Sequence, residues 1–154
     1  MTAEEFVRLL ANVTAAIAGK PVDTGLEREL NQRFPADGAV VAQIFAACRE
    51  GAAAGWLCQR EQGGIRFGRV AKPSPELHNH SIDVVDMNEV AGPHHTHPNG
   101  EIDLIMPTEG DARFDRRGAG WLVYPPGSSH RPTVSGGRAF VLYLLPGGAI
   151  EFTR

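Results

Sequence analysis

Turn chemistry after Trp56 limits this chain more than any other feature. Gly63-Gly64, Pro98-Asn99-Gly100, Gly118-Ala119-Gly120, Pro125-Pro126-Gly127, Gly136-Gly137 and Gly147-Gly148 repeatedly cut short runs rich in β-branched and aromatic residues. Punctuation of this kind disfavours long helices and favours short strands joined by tight turns, as in an antiparallel sandwich or barrel. Eighteen glycines and eleven prolines in 154 residues point the same way. The expected class is therefore mostly β, with strands over 56–60, 65–70, 81–87, 94–97, 101–106, 112–115, 121–124, 130–134 and 139–145. No internal repeat is evident.

The first 55 residues follow a different period. Thr2 and Glu5 form a capping box, and Phe6, Leu9, Leu10, Val13 and Ile17 recur at helical spacing until Gly19-Lys20-Pro21. A second helix starts near Asp23 or Thr24, carries Leu26, Leu30 and Phe34, and must end before Pro35, because proline disfavours helical geometry in its predecessor. Asp37 is the expected cap of a third, running through Val40, Val41, Ile44, Phe45 and Cys48 and dissolving between Gly51 and Gly55. Residues 1–55 are too few and too one-sided to stand alone. They are expected to pack on the β unit of residues 56–154, covering a face or an edge, as one compact whole.

Fifteen Lys plus Arg against eighteen Asp plus Glu give a formal charge of −3, which leaves no electrostatic footprint for nucleic acid or an anionic membrane. Two cysteines, Cys48 and Cys58, make no disulfide framework and lack metal-site spacing, which suits a reducing compartment. The opening Met1-Thr2-Ala3-Glu4-Glu5 is acidic where a signal peptide would be basic, and no apolar run approaches the roughly 20 residues that span a bilayer. The expectation is a soluble cytoplasmic protein.

The chemistry concentrates in Gly92-Pro93-His94-His95-Thr96-His97-Pro98-Asn99-Gly100-Glu101-Ile102-Asp103. Strand residues two apart share a face, so His95 and His97 point together while His94 points away. Pro98-Asn99-Gly100 is a strong turn signal that folds the chain back and returns Glu101 toward the same point. Tyr124-Pro125-Pro126-Gly127-Ser128-Ser129-His130 is a second tight turn, and it delivers His130 as a fourth group. Three imidazoles and one carboxylate suit a divalent transition ion, Fe, Mn, Ni, Co or Zn, with positions left for water or substrate. Asp103 shares the inward face of Glu101, whereas Ile102, Leu104 and Met106 face the other side. An inward aspartate either orients a ligand or moves protons, and Glu101 is also a candidate acid or base. His78 and His80 form another His-x-His pair that Pro73 and Pro75 assign to a loop, although His80 opens a strand beside the ligand strand.

These residues resemble the cupin superfamily. Gly92, His95, His97, Glu101 and Gly110 fit its first motif, and Gly120, Pro125, Gly127 and His130 fit its second. Gly92 lies closer to its histidine, and Gly110 further from its glutamate, than is usual. The resemblance covers about residues 80–145 and implies a cupin-type antiparallel β-barrel (jelly roll) holding a metal inside, with the helical segment packed against it. By the same analogy the chain is expected to form a homodimer.

Whole segments are more narrowly similar to the bacterial 4-hydroxylaminobenzoate lyases of nitroaromatic degradation: His97-Pro98-Asn99-Gly100-Glu101-Ile102-Asp103, Gly120-Trp121-Leu122-Val123-Tyr124-Pro125-Pro126-Gly127, His130-Arg131-Pro132-Thr133-Val134 and Leu142-Tyr143-Leu144-Leu145-Pro146. That resemblance implies conversion of 4-hydroxylaminobenzoate and water to 3,4-dihydroxybenzoate (protocatechuate) and ammonia, a balanced change that needs no external oxidant. A small aromatic acid needs a cation for its carboxylate, for which Arg69, Arg113 and Arg131 are the candidates. Tyr124 and His80 are further candidates for substrate contact. Two other readings fit the same ligands: an Fe(II)-dependent cupin dioxygenase acting on an aromatic acid, and a non-catalytic cupin that binds a small molecule.

Overall fold

The computed structural model describes residues 1–153, in which three helices precede nine strands. The helices are α1 (Ala3–Ile17), α2 (Thr24–Arg33) and α3 (Ala39–Ala54). The strands are β1 (Arg60–Gln62), β2 (Ile65–Ala71), β3 (His80–Ala91), β4 (His95–His97), β5 (Glu101–Phe114), β6 (Gly120–Tyr124), β7 (Ser128–His130), β8 (Thr133–Pro146) and β9 (Glu151–Phe152). All strand pairing is antiparallel: one six-stranded sheet in the order β1-β2-β3-β8-β5-β6 and one of three strands, β7-β4-β9. The mostly-β class read from turn chemistry is the observed one.

Local sequence explains how the helices begin. Thr2 and Glu5 form the reciprocal cap of α1, and the Asp23 carboxylate accepts from the Leu26 amide at the start of α2. The cap of α3 differs from expectation: it is Gly38, with no side-chain hydrogen bond, and Asp37 takes no part. That helix also runs through Gly51, where a Cβ would lie only 2.8 Å from the Trp56 ring, so the close packing of Trp56 needs glycine there. Among the described residues no helix is long and apolar enough to cross a membrane.

Each face of the large sheet packs against a different layer. Ile82 and Val84 of β3, Ile102, Leu104 and Met106 of β5, and Leu142 and Leu144 of β8 form one apolar cluster with Phe6, Leu10, Val13, Leu30 and Ile44 of the helices. The alternate residues Met87, Ile105, Val141, Tyr143 and Leu145 form a second cluster toward the small sheet. Helix α2 also closes the β6 edge. Asn31 exchanges hydrogen bonds with both backbone groups of Trp121, at 2.9 and 3.0 Å, and Glu27 accepts from the Val123 amide.

Several strand limits move. The first strand begins at Arg60 rather than Trp56, because the chain is still turning out of α3. The segments expected at 101–106 and 112–115 are one strand, β5, with register shifts on either side of Gly110. A Cβ on Gly110 would meet the Gly136 carbonyl at 2.6 Å, so this close pairing of bulged strands needs glycine. The segment expected at 130–134 breaks at Arg131-Pro132 into β7 and the start of β8, and β9 had no sequence signal strong enough to be assigned.

Candidate metal centre

Strand register assembles the four ligand candidates. In the β4–β7 pair His95 stands opposite His130, and His97 stands opposite Ser128. The Asn99-Gly100 turn then starts β5 at Glu101. Gly100 sits at φ +90°, and a Cβ there would lie 2.6 Å from Val22 and 2.9 Å from the Tyr124 carbonyl, so this hairpin closes only with glycine. The side chains of His95, His97 and Glu101 are 2%, 0% and 0% exposed, and one ligand atom from each of His95, His97, Glu101 and His130 falls within 4.8 Å of the others.

The three imidazoles all turn Nε2 inward. His95 Nε2 lies 3.4 Å from Glu101 Oε1; His97 and His130 Nε2 lie 3.1 and 3.3 Å from Oε2. The Nε2 atoms of His95 and His130 are 3.1 Å apart. Each Nδ1 has its own acceptor outside the cluster: the Pro93 carbonyl for His95 (3.3 Å), Ser128 Oγ for His97 (2.9 Å) and Asp115 Oδ2 for His130 (2.5 Å). Ser128 donates its own proton to the Pro125 carbonyl, so its oxygen is an acceptor for His97. In this network the proton of a neutral ring sits on Nδ1 and the lone pair on Nε2. Three imidazole nitrogens converging on a carboxylate are held together by a cation between them or, in the metal-free protein, by a proton on the cluster. His97 Nε2 and both Glu101 oxygens accordingly have distances, but no geometry, for hydrogen bonds, and are left without partners. The residues fit a divalent ion.

Asp103 lies two residues further into β5 on the same face, fully buried, with neither oxygen hydrogen-bonded. Burial, and next the Glu101 carboxylate, raise its pKa well above the ordinary 3.8, which favours its protonated form in the metal-free protein. Burial would raise Glu101 too, but its contacts with His130, His95 and His97 outweigh that and hold it well below its usual value. His130 is opposed by burial and favoured more strongly by Asp115 and Glu101, which raise it to about 9 without a bound cation. Asp115 drew no notice in the sequence. It accepts from the Tyr124 hydroxyl (2.5 Å) and the Thr133 amide (3.0 Å) as well as from His130, and its only sequence signal is a polar residue in a turn.

A cavity of about 980 Å³ opens beside His95, walled by Ile65, Phe67, Val85, Met87, Tyr143 and Phe152 among others. Arg69 and Arg131 both reach it, while Arg113 is elsewhere on the surface near Asp111. Arg69 is bound to Asp83 at 2.9 Å and to the Gly148 carbonyl, whereas among the described residues Arg131 makes a 3.2 Å bond to the Gly92 carbonyl and no ion pair. Tyr124 is not on this wall; its ring packs over His130 at 4.6 Å and His97 at 5.4 Å. His80 lies away from the cavity, with its ring on the Leu77 carbonyl. It shares the strand parity of Ile82 and Val84, which face the helices, so its place argues against the substrate contact expected for it. His94 points outward as expected and binds Thr153, the residue after β9. Cys48 and Cys58 are free and buried, and burial pushes both thiols up, Cys58 to about 12.

The family described as PnbB: 4-hydroxylaminobenzoate lyase matches residues 8–152. A curated relative from Pseudomonas putida, 4-hydroxylaminobenzoate lyase, is 28% identical over 166 residues, covering 97% of this chain and 94% of the relative. Among solved structures, a putative acetylacetone dioxygenase from Methylibium petroleiphilum is 16% identical, covering 60% of this chain and 68% of its own, at a TM-score of 0.46. An RmlC-like cupin protein from Ralstonia eutropha is 13% identical, covering 60% and 62%, at a TM-score of 0.45. The chain thus spans less than two thirds of that last structure.

Proposed function

The chain belongs to the 4-hydroxylaminobenzoate lyase family, and on that premise we propose that it converts 4-hydroxylaminobenzoate and water to protocatechuate and ammonia at a divalent metal held by His95, His97, Glu101 and His130. The observation that carries the metal is the inward set of Nε2 atoms around a carboxylate whose oxygens have no hydrogen-bond donor. An ion there supplies Lewis acidity toward an oxygen of the substrate or of water.

The net change breaks the N–O bond, the C–N bond and one ring C–H bond and forms two C–O bonds; nitrogen leaves as ammonia, and as the hydroxylamine oxygen departs as water, two waters enter the ring so that one is consumed net. The departing oxygen needs a proton, and Asp103, protonated and buried beside Glu101, is the donor in this reading. Its carboxylate then takes the ring proton released when water adds, which returns it to its starting state. Arg131 holds the far carboxylate, since its guanidinium reaches the cavity and has no acidic partner among the described residues. The apolar walls from Ile65, Phe67, Val85 and Met87 fit an aromatic ring and limit stray water.

Anaerobic incubation of metal-defined protein with 4-hydroxylaminobenzoate tests the reading. It predicts ammonia and the catechol product in equal amounts without oxygen. No product with any of several divalent ions, with or without oxygen, would overturn it, and product formed only with oxygen would favour the dioxygenase.

A further inference from the structure

We propose that Asp115 is a positioning residue of the metal centre, its carboxylate fixing the ring of His130 so that Nε2 faces the ion. The inference rests on the metal reading above. Asp115 and Arg116, at φ +48° and +70°, form the tight hairpin between β5 and β6, closed by reciprocal 2.8 Å hydrogen bonds of Phe114 and Arg117. Such a turn by itself asks only for a residue that tolerates left-handed geometry, which asparagine or glycine does at least as well.

The surroundings ask for more. Three donors converge on this one carboxylate: His130 Nδ1 and the Tyr124 hydroxyl on Oδ2, and the Thr133 amide on Oδ1. An amide offers one acceptor oxygen, and its NH₂ would face a donor. His130 also needs an external hold. It ends a three-residue strand just before the break at Arg131-Pro132, and at 11% side-chain exposure it is the least buried of the three histidines. His95 and His97 lean on neutral oxygens, a carbonyl two residues back and a hydroxyl on the paired strand β7, whereas His130 leans on a charged one from the β5–β6 hairpin. A carboxylate behind a ligand imidazole sets its tautomer and raises its basicity.

The test is Co(II) binding by competition with a chelator, together with the visible spectrum of the Co(II) protein. Asp115→Asn keeps a turn-compatible residue and removes the charge, so the metal-free protein should still fold, with a lower melting temperature because the amide faces a donor, while Co(II) affinity of the folded protein falls about 10- to 100-fold and the spectrum changes. Asp115→Gly, free of backbone strain, must reproduce that loss should the Asn variant fold poorly. Wild-type affinity and spectrum in either folded variant would overturn the inference and leave Asp115 a turn residue. Failure of the wild-type protein to bind Co(II) would overturn the metal reading itself, and this inference with it.

Discussion

The two faces of β5 differ as sharply as any two regions of the molecule, although they are made by alternate residues of one strand. Ile102, Leu104 and Met106 meet the helices in a cluster built of apolar side chains. Glu101 and Asp103 turn the other way, equally buried, and carry four of the five buried side-chain polar atoms without a hydrogen-bond partner among the described residues; the fifth is His97 Nε2. Burying a polar atom without a partner costs stability, about 1–3 kcal/mol in mutational series. The helical face thus supplies the stability that lets the opposite face hold groups poised for an ion and a proton.

Breaking the polar face at its centre has the largest effect. His97→Ala should abolish turnover and stoichiometric metal content while far-ultraviolet circular dichroism stays native. Full metal content in that variant would refute the ligand set. Asp103→Asn separates proton chemistry from binding: metal content should persist while kcat falls by about 10²–10⁴. The same variant sharpens the stability contrast. Because the folded pKa of Asp103 is raised, the metal-free native state keeps a proton that the unfolded chain releases, and wild-type stability falls as pH rises above about 4 toward that raised value. Asp103→Asn lacks this loss, so its stability advantage in urea titrations should grow with pH across that interval.

On the apolar face, Leu104→Ala should cost about 2–5 kcal/mol in chemical denaturation while leaving the metal affinity of the folded protein unchanged. A change in affinity would show that the faces are not separable. The smallest effect belongs to the cavity rim. Arg131→Gln should raise KM about ten- to a hundredfold with kcat little altered, and a similar KM would return the carboxylate to Arg69.

The sequence made the ligand set legible because a strand's two-residue period puts His95 and His97 on one side, and the Asn99-Gly100 turn has few alternatives to reversing the chain. The same period separated Asp103 from Ile102 and Leu104 correctly. It could not reveal Asp115, whose partners are 9, 15 and 18 residues away and meet only when two hairpins pack. Nor could it join 101–106 to 112–115, since Pro107 and Gly110 interrupt the β-prone run, and Gly110 acts in a bulge, where its missing side chain lets β8 approach. His80 misled for a related reason. Lying on a strand near the site in sequence does not fix which face it takes, and its parity puts it with Ile82 and Val84.

Anomalous diffraction from crystals grown with Zn(II) tests the metal centre most directly. The account predicts one peak about 2.0–2.2 Å from Nε2 of His95, His97 and His130 and from a Glu101 carboxylate oxygen. Full-occupancy zinc elsewhere, with those four side chains bare, would contradict it.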